Sequence, residues 1–319
     1  RKRGTMNLVI HILSSTVVPL FVLILLGAAL GLKYQINLSS LSKLYFNVFM
    51  PGFLFVNLYQ AQITREMMWA FLFAALLGAA NFALGTAAGH WRGLSRSKLG
   101  PFTNAVMFYN SGNMGLPLIT LVFAGSPLQA AAVTAQIMVM LFQNTGVIAL
   151  GSLNAARSSS PDWRVLTRRI LSMPSIWILP VTILARLLPV DLTQIPLLWA
   201  PASYAKDALV ATALVSLGVQ LSRNLSSIKD PDVYLAVALR LAVSPMLAWL
   251  LIKLMGFSGA VAQTLLISSA APSAVNTALV AAEFDSEAGF AGQTVLATTL
   301  LSAFTLAVVI YLAKILFPV

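Results

Sequence analysis

The sequence lacks cysteine altogether and has very few charged residues. Only 9% of its 319 residues are Asp, Glu, Lys or Arg, whereas a soluble globular domain carries about 25%. Without cysteine, the chain can form neither disulfides nor thiolate metal sites. So few charges cannot cover a surface that faces water, and 59% of the residues are hydrophobic. The composition therefore excludes a soluble protein and indicates a membrane protein.

The uncharged stretches are long enough to cross a lipid bilayer. Positions 8–32 contain no Asp, Glu, Lys or Arg, and about 20 consecutive apolar residues span the hydrocarbon core. The expected membrane-spanning segments are 7–32, 40–59, 66–90, 100–123, 128–151, 168–189, 200–221, 232–255, 258–284 and 288–316. We therefore predict an all-α polytopic membrane protein with ten transmembrane helices.

The distribution of basic residues predicts how these helices are oriented. The net charge is +11, and in a membrane protein Lys and Arg in short connections mark the cytoplasmic side rather than a nucleic-acid site. The odd-numbered connections contain eleven basic residues and the even-numbered ones three. We therefore expect a cell (inner) membrane protein with the odd connections in the cytoplasm and both termini extracytoplasmic. Residues 1–5 precede Met6, a plausible native start, and we interpret them as an expression scar without weight in this assignment.

The longest connection, residues 152–167, divides the chain near its middle. Five expected helices lie on each side of it, in residues 6–151 and 168–319, and together they form a single transmembrane unit over residues 1–319. An odd number of helices in each half turns the second half upside down relative to the first. The pattern therefore predicts a 5+5 inverted repeat.

Two of the expected helices are interrupted at corresponding places in the two halves. The fourth contains Asn-Ser-Gly-Asn-Met-Gly-Leu-Pro-Leu at positions 110–118, and the ninth contains Ala-Pro-Ser-Ala-Val-Asn-Thr at positions 271–277. Proline removes a backbone donor and glycine weakens a helix. At membrane depth the freed backbone groups survive only where protein or a polar cavity satisfies them, and matching interruptions are typical of a transporter's binding site. An unrelated kink at each proline is the alternative. The residues assigned to the helix breaks are Gly115, Pro117, Pro272 and Ser273.

At these positions the sequence resembles the auxin efflux carrier family. The resemblance covers residues 6–319, and its most specific parts are the segments 110–118, 141–146, 216–218 and 272–277, followed by Glu283 and Phe284. The short central connection makes the chain more similar to the bacterial members than to the plant PIN-type carriers.

The resemblance implies a ten-helix fold shared with the bile acid sodium symporters, in which the broken helices 4 and 9 cross. Helices 1, 2, 6 and 7 would form a scaffold, and helices 3–5 and 8–10 a mobile core. Such a protein would be a secondary transporter that moves an organic anion, a small carboxylate, by an elevator-type alternating-access mechanism. The auxin specificity of the plant members is not carried over to this chain.

The chemistry of the two breaks favours an anion. Each half-helix that begins after a break, near Gly115 and near Ser273, presents unpaired N–H groups and about half a positive charge. Neighbouring neutral side chains can orient a carboxylate without trapping it as a fixed cation would. The candidate substrate-binding residues are Asn110, Asn113, Gln143, Asn144, Asn276 and Thr277. For each of them the alternative is an interhelical hydrogen bond worth about 0.6 kcal/mol, without a substrate role.

Ionisable residues inside the expected helices are rare and costly. Arg240 lies about eight residues into the eighth helix, where it could attract anions, pair with a backbone carbonyl, or extend to the headgroups. None of the nine acidic residues falls at either break, although cation antiporters of this fold generally carry a carboxylate there. The sequence therefore favours an organic acid over a metal cation as the cargo.

Other functions are less well supported. Only His11 and His90 exist, and no nucleophile motif or metal-ligand spacing accompanies them, so we expect no enzyme, no catalytic residue, no metal and no cofactor. A sodium-coupled symporter of the bile acid symporter type stays open, as does a transporter-like sensor or channel. The expected partners are a small organic acid, the lipid bilayer and, in a homodimer, a second copy of the chain. Nucleic acid is not expected.

Overall fold

In the computed structural model, the described residues are 13–61, 64–156, 162–223 and 230–319. Within these ranges all regular structure is helical, apart from one bridge between Tyr109 and Ser273. The helices are α1 Val18–Lys33, α2 Leu38–Gln60, α3 Arg65–Trp91, α4 Arg96–Met107, α5 Ser111–Val122, α6 Gln129–Ala155, α7 Trp163–Leu171, α8 Pro174–Arg186, α9 Pro196–Ser222, α10 Pro231–Met255, α11 Gly259–Ser269, α12 Val275–Glu283 and α13 Ala288–Leu316. The proposed expression scar, the start at Met6, and residues 157–161 of the central connection lie outside the described residues.

Several of these helices have the length and composition of membrane spans. In the described part of the chain, six are long and apolar enough to cross a bilayer, namely α2, α3, α6, α9, α10 and α13. Four shorter apolar helices, α1, α5, α8 and α11, have 10–17 residues. A helix satisfies its backbone hydrogen bonds internally, which a segment in hydrocarbon must do.

The distribution of polar residues on α13 also fits a lipid environment. Thr294, Thr298 and Ser302 are completely buried on this helix, whereas Phe304 is 75% exposed and Val308 57% exposed. A soluble protein would not turn large apolar side chains outward along a helix whose hydroxyls are buried. The chain is an α-helical membrane protein.

The helices pack in two groups. In the first, α9 lies along α1 and α2, and α8 packs on α2; in the second, α3 to α6 pack with α10 to α13. The groups meet where α5 contacts α9 and α6 contacts α2. Glycines let α1 and α9 approach closely, since a Cβ on Gly218 would lie 1.9 Å from the Ile24 carbonyl oxygen and one on Gly27 would lie 2.1 Å from that of Val215. Small residues at a crossing are the usual means of close contact between membrane helices.

The centre of the chain differs from the expected arrangement. The connection expected at 152–167 is partly helical, because α6 continues to Ala155 and a separate helix, α7, begins at Trp163. The sixth span was expected over 168–189, but α8 begins at Pro174. Apolar residues on both sides of this boundary concealed it in the sequence. Helix α7 combines exposed Trp163 and Leu171 with arginines, a composition that suits a helix lying on a membrane surface.

Ion pairs join the end of α3 and the start of α4 to the start of α10. The Asp232 carboxylate accepts hydrogen bonds from Arg92 Nε at 2.9 Å and Lys98 Nζ at 2.6 Å, and Lys98 also donates to Asp230 at 2.7 Å. The side chain of Asp232 is only 10% exposed, so solvent screens these charges less than it would on an open surface. The network holds together three helices of the second group.

Candidate functional site

Two pairs of helices are separated by short non-helical segments. The first break, residues 108–110, lies between α4 and α5; the second break, residues 270–274, lies between α11 and α12. Tyr109 and Ser273 form an antiparallel bridge. The two breaks therefore cross each other inside the second helix group.

Backbone groups freed at one break are satisfied by the other. The amide of Asn110 donates to the Pro272 carbonyl at 2.7 Å, and the amide of Ala274 donates to the Phe108 carbonyl at 2.9 Å. The Ser273 hydroxyl donates to a carbonyl of α4, at 2.7 Å. This pairing explains how backbone can leave helical structure at membrane depth.

The first break lies earlier in the chain than the sequence predicted. Helix α5 begins at Ser111 with a π-helical turn, and its regular α-helical part follows from Leu116, which corresponds to the predicted start near Gly115. Gly115 and Pro117 nevertheless lie inside α5, after the break and not within it. Asn110 caps the true start, because its Oδ1 accepts a hydrogen bond from the Asn113 amide at 3.1 Å. Gly115 is needed for packing instead, since a Cβ there would lie 2.6 Å from Gln136 Nε2.

The second break lies close to the predicted position. Pro272 and Ser273 are both within it, and α12 begins at Val275. No side chain caps the start of α12. The first turn of α12 therefore has no side-chain acceptor such as Asn110 supplies to α5, and the Thr277 amide donates instead to the Ala274 carbonyl at 3.0 Å.

A small polar cavity lies where α5 and α12 begin. Its volume is about 20 Å³, roughly enough for one water molecule. The lining residues are Phe46, Met50, Tyr109, Asn110, Ser111, Gly112, Asn113, Asn144, Ala274, Val275 and Asn276. Four of the predicted substrate-binding residues, all asparagines, are thus brought together in one wall.

Asn110 has a free donor in this wall. It is 5% exposed, and its Nδ2 has no hydrogen-bond partner among the described residues. A buried amide donor without a partner is costly. Because Asn110 lines the cavity, a ligand there could accept this hydrogen bond.

The other two predicted residues do not line the cavity. Gln143 is 2% exposed and accepts a hydrogen bond from the Tyr109 amide at 3.2 Å through Oε1. Thr277 is completely buried, and its hydroxyl donates to the Ala274 carbonyl at 2.7 Å. Both side chains support the backbone of a break.

Arg240 lies on the opposite side of the crossing, at the ends of α4 and α11. It is completely buried. Its Nη1 donates to the Val106 carbonyl at 2.9 Å, and its Nη2 donates to the Ser269 carbonyl. The guanidinium also stacks on the Tyr109 ring, 4.8 Å from the ring centroid. Of the three roles considered from the sequence, these contacts correspond to pairing with backbone carbonyls.

The electrostatics of the crossing are therefore asymmetric. The C-terminal ends of α4 and α11 carry partial negative charge, which the Arg240 cation neutralises. The positive N-terminal ends of α5 and α12 face the cavity and meet only neutral side chains. Arg240 forms no ion pair with any acid in the described ranges. The whole crossing thus carries net positive charge, which favours an anion over a cation.

Some residues of this site carry no signal in the sequence. Phe46 and Met50 reach the cavity from α2, where a π-helical turn at Tyr45–Phe49 alters the side-chain register. They belong to an ordinary apolar segment, so neither polarity nor motif distinguishes them. Tyr109 lies immediately before the motif at 110–118, and only the bridge to Ser273 reveals its place.

No cluster of three or more His, Asp or Glu residues that could hold a metal occurs among the described residues. The site consists of amides, backbone groups and aromatic rings. It offers the means to bind and orient a charged solute.

Comparison with known proteins indicates a transporter. The family model described as "Membrane transport protein" matches residues 202–310. A protein of Methanothermobacter thermautotrophicus named "Uncharacterized transporter" is 26% identical over 307 residues, which cover 92% of this chain and 96% of the relative.

The protein is a multi-pass α-helical membrane transporter rather than an enzyme. It is similar to the membrane transport protein family, in line with the resemblance to the auxin efflux carriers that the sequence motifs indicate.

Proposed function

We propose that the protein is a secondary carrier for a small organic anion, most simply a carboxylate. The observation that carries this proposal is the polar cavity at the starts of α5 and α12, lined by four asparagines and no described acid, with Arg240 at the opposite helix ends. A metal cation would meet helix ends of the wrong sign there.

At about 20 Å³ the cavity is too small for an organic acid as it stands, so we propose that it widens when the core moves. Each part of its wall then suits a carboxylate. The uncapped start of α12 supplies backbone donors, and the free Nδ2 of Asn110 adds one more. Asn113, Asn144 and Asn276 can donate through their amides without adding a fixed charge. Hydrogen bonds to a charged group are worth about 1.5–3 kcal/mol each, which allows specific binding that remains weak enough for release.

The proposed architecture has ten membrane-spanning units in a 5+5 inverted repeat. In it α4 with α5, and α11 with α12, each form one broken span. We assign α1, α2, α8 and α9 to a scaffold and the other spans to a mobile core. The cavity wall supports an elevator-type movement, because Phe46 and Met50 come from the scaffold while the asparagines come from the core. The distribution of basic residues supports a cytoplasmic location for the odd connections. A homodimer stays a prediction.

Binding by the purified protein tests the function. A thermal-shift screen against organic acids should raise the melting temperature with a ligand that binds the folded state. Asn113→Ala and Asn276→Ala should each weaken that ligand about 10- to 150-fold, as expected for one lost hydrogen bond to a charged group.

Asn81→Ala is the matched control, since Asn81 is a completely buried amide that donates to the Ser244 hydroxyl at 2.9 Å and does not line the cavity. Equal losses in all three variants would show that the crossing is not the binding site. Saturable uptake with counterflow in vesicles would distinguish a carrier from a channel. Strict dependence of binding on sodium would favour a symporter.

A further inference from the structure

Three cavities lie in a row between the protein surface and the crossing of the breaks. The outer cavity, about 810 Å³, lies at the connection between α1 and α2, and the middle cavity, about 260 Å³, lies between α2 and α9. The inner one is the cavity of about 20 Å³ described above. Leu38 and Ser39 line both the outer and the middle cavity, and Phe46 and Asn113 line both the middle and the inner one. The shared residues show that the three cavities adjoin one another in a series.

The outer cavity is basic. Its wall includes Lys33 and Arg223, and none of the three cavities has an Asp or Glu among its described lining residues. Arg223 donates to the Ile36 carbonyl, which holds its guanidinium at the opening. A concave surface lined by charges of one sign raises the local concentration of solutes of the opposite sign. The opening therefore favours anions.

The middle cavity is uncharged and lies between the two helix groups, and its largely apolar wall carries several polar side chains. Ser42 of α2 and both Ser216 and Gln220 of α9 line one side, and Asn113 of α5 lines the other. A water molecule occupies about 30 Å³ of liquid, so this cavity has room for a small organic acid and the inner one does not. A solute coming from the surface would stop here before reaching the helix starts.

An aromatic residue stands between the middle and the inner cavity. Phe46 lies in the π-helical turn of α2, is 36% exposed, and contacts the Tyr45 ring edge-on with 4.9 Å between centroids. Such π turns occur frequently at functional sites. Movement of this ring, or of the core past it, would join the two cavities.

We propose that this series is the access path for anions, with Ser42, Ser216 and Gln220 forming a waiting site outside Phe46. The basic opening selects the sign of charge, and the waiting site accommodates the solute before the core moves. Only the nature of the natural cargo rests on the proposed function; the path and its charge preference do not.

The absence of cysteine from the sequence permits a direct test with single cysteines. Ser42→Cys and Ser216→Cys place a thiol in the middle cavity. Ser40→Cys is the control, because Ser40 is exposed on the same helix as Ser42 and lines none of the three cavities. The probes are sulfonatoethyl methanethiosulfonate, an anion, and trimethylammonioethyl methanethiosulfonate, a cation of similar size. The reaction rate of each is measured on purified protein.

We expect the ratio of the anion rate to the cation rate to be about threefold to thirtyfold higher at Ser42→Cys and Ser216→Cys than at Ser40→Cys. Adding Lys33→Gln and Arg223→Gln together should return the ratio to the control value, whereas Arg223→Lys should preserve it. Elution as one monodisperse species, with unchanged reactivity of Ser40→Cys, shows that the variants are folded. A ratio equal to that of the control, no reaction in the middle cavity, or a preference that survives neutralisation would each overturn the proposal.

Protection by an organic acid tests the proposed function separately. An acid that slows labelling of Ser216→Cys supports both the path and the cargo. Charge-selective labelling that no organic acid slows would keep the path and reject carboxylates as the cargo.

Discussion

Replacement of the buried Arg240 separates its structural from its electrostatic role. Arg240→Met keeps a long side chain but removes the charge and leaves the carbonyls of Val106 and Ser269 without their donor. Each unsatisfied buried group costs about 1–3 kcal/mol. Removing a buried, unpaired cation recovers part of that loss, so we expect a moderate decrease in melting temperature with the fold retained.

The effect on anion binding follows from distance. The guanidinium lies behind the Tyr109 ring, 4.8 Å from its centroid, and Tyr109 lines the inner cavity. A bound anion would therefore lie about 8–10 Å from the charge, where the attraction is about 2 kcal/mol at an effective dielectric constant of about 20. Arg240→Met should weaken the anion about 30-fold. Arg240→Lys keeps the charge and should bind nearly as well as the parent.

Arg186 provides a matched control for this experiment. Its guanidinium also binds terminal helix carbonyls, those of Ala61 at 2.7 Å and Leu58 at 3.3 Å, but at the end of α2 away from the crossing. Arg186→Met should lower thermal stability and leave anion affinity unchanged. The assay is titration of the purified variants with the acid found in the thermal-shift screen. Parental affinity in Arg240→Met, or equal losses in the Lys and Met variants, would refute the electrostatic role.

Three further predictions concern packing, the ion-pair network and topology. Gly218→Ala forces α1 and α9 apart and should lower the stability measured by thermal unfolding by about 1–3 kcal/mol or more. Gly289→Ala is the control, because the space around its Cβ position is open, and it should leave that stability unchanged. Asp232→Asn removes two ion pairs and should lower the free energy of unfolding by about 1.5–3 kcal/mol. This loss should be smaller in concentrated salt, and a loss that does not depend on salt would contradict a role for charge. Single cysteines at Ser126 and Ser97 should react with an impermeant reagent from opposite sides of the membrane, Ser126→Cys from outside, and labelling of Ser97→Cys from outside intact cells would contradict the proposed orientation.

The helical membrane class and the presence of two breaks could be predicted because each depends on composition. Long apolar segments carry their own signal, and Gly, Asn and Pro mark places where a continuous helix is unfavourable. The position of the first break depends on more than composition. Asn110 begins α5 as a cap, a π-helical turn runs from Ser111 to Gly115, and regular α-helix follows from Leu116 with Pro117 in its first turn. The sequence shows the proline but gives no sign of the wider turn that precedes it.

Residues that reach the site from elsewhere were harder to predict. The sequence placed Arg240 inside a span but left its contacts open, because they depend on where α4 and α11 end. Phe46 enters from another helix group and differs in nothing from the apolar residues around it. The asparagines were easier, since polar side chains beside a break have few other reasons to be there. Gln143 and Thr277 follow the same pattern and yet bind backbone, which only their neighbours reveal.

The pairing of the breaks has a consequence for how the protein tolerates mutation. The amides of Asn110 and Ala274 each use a carbonyl from the opposite half of the chain. A substitution such as Pro272→Ala makes a continuous helix more favourable in the second break. A continuous helix there would leave the backbone groups of the first break without hydrogen-bond partners in hydrocarbon. Neither half can therefore abandon its break alone. The irregular backbone at the centre of the molecule is stabilised as a pair, and its two members must persist or be lost together.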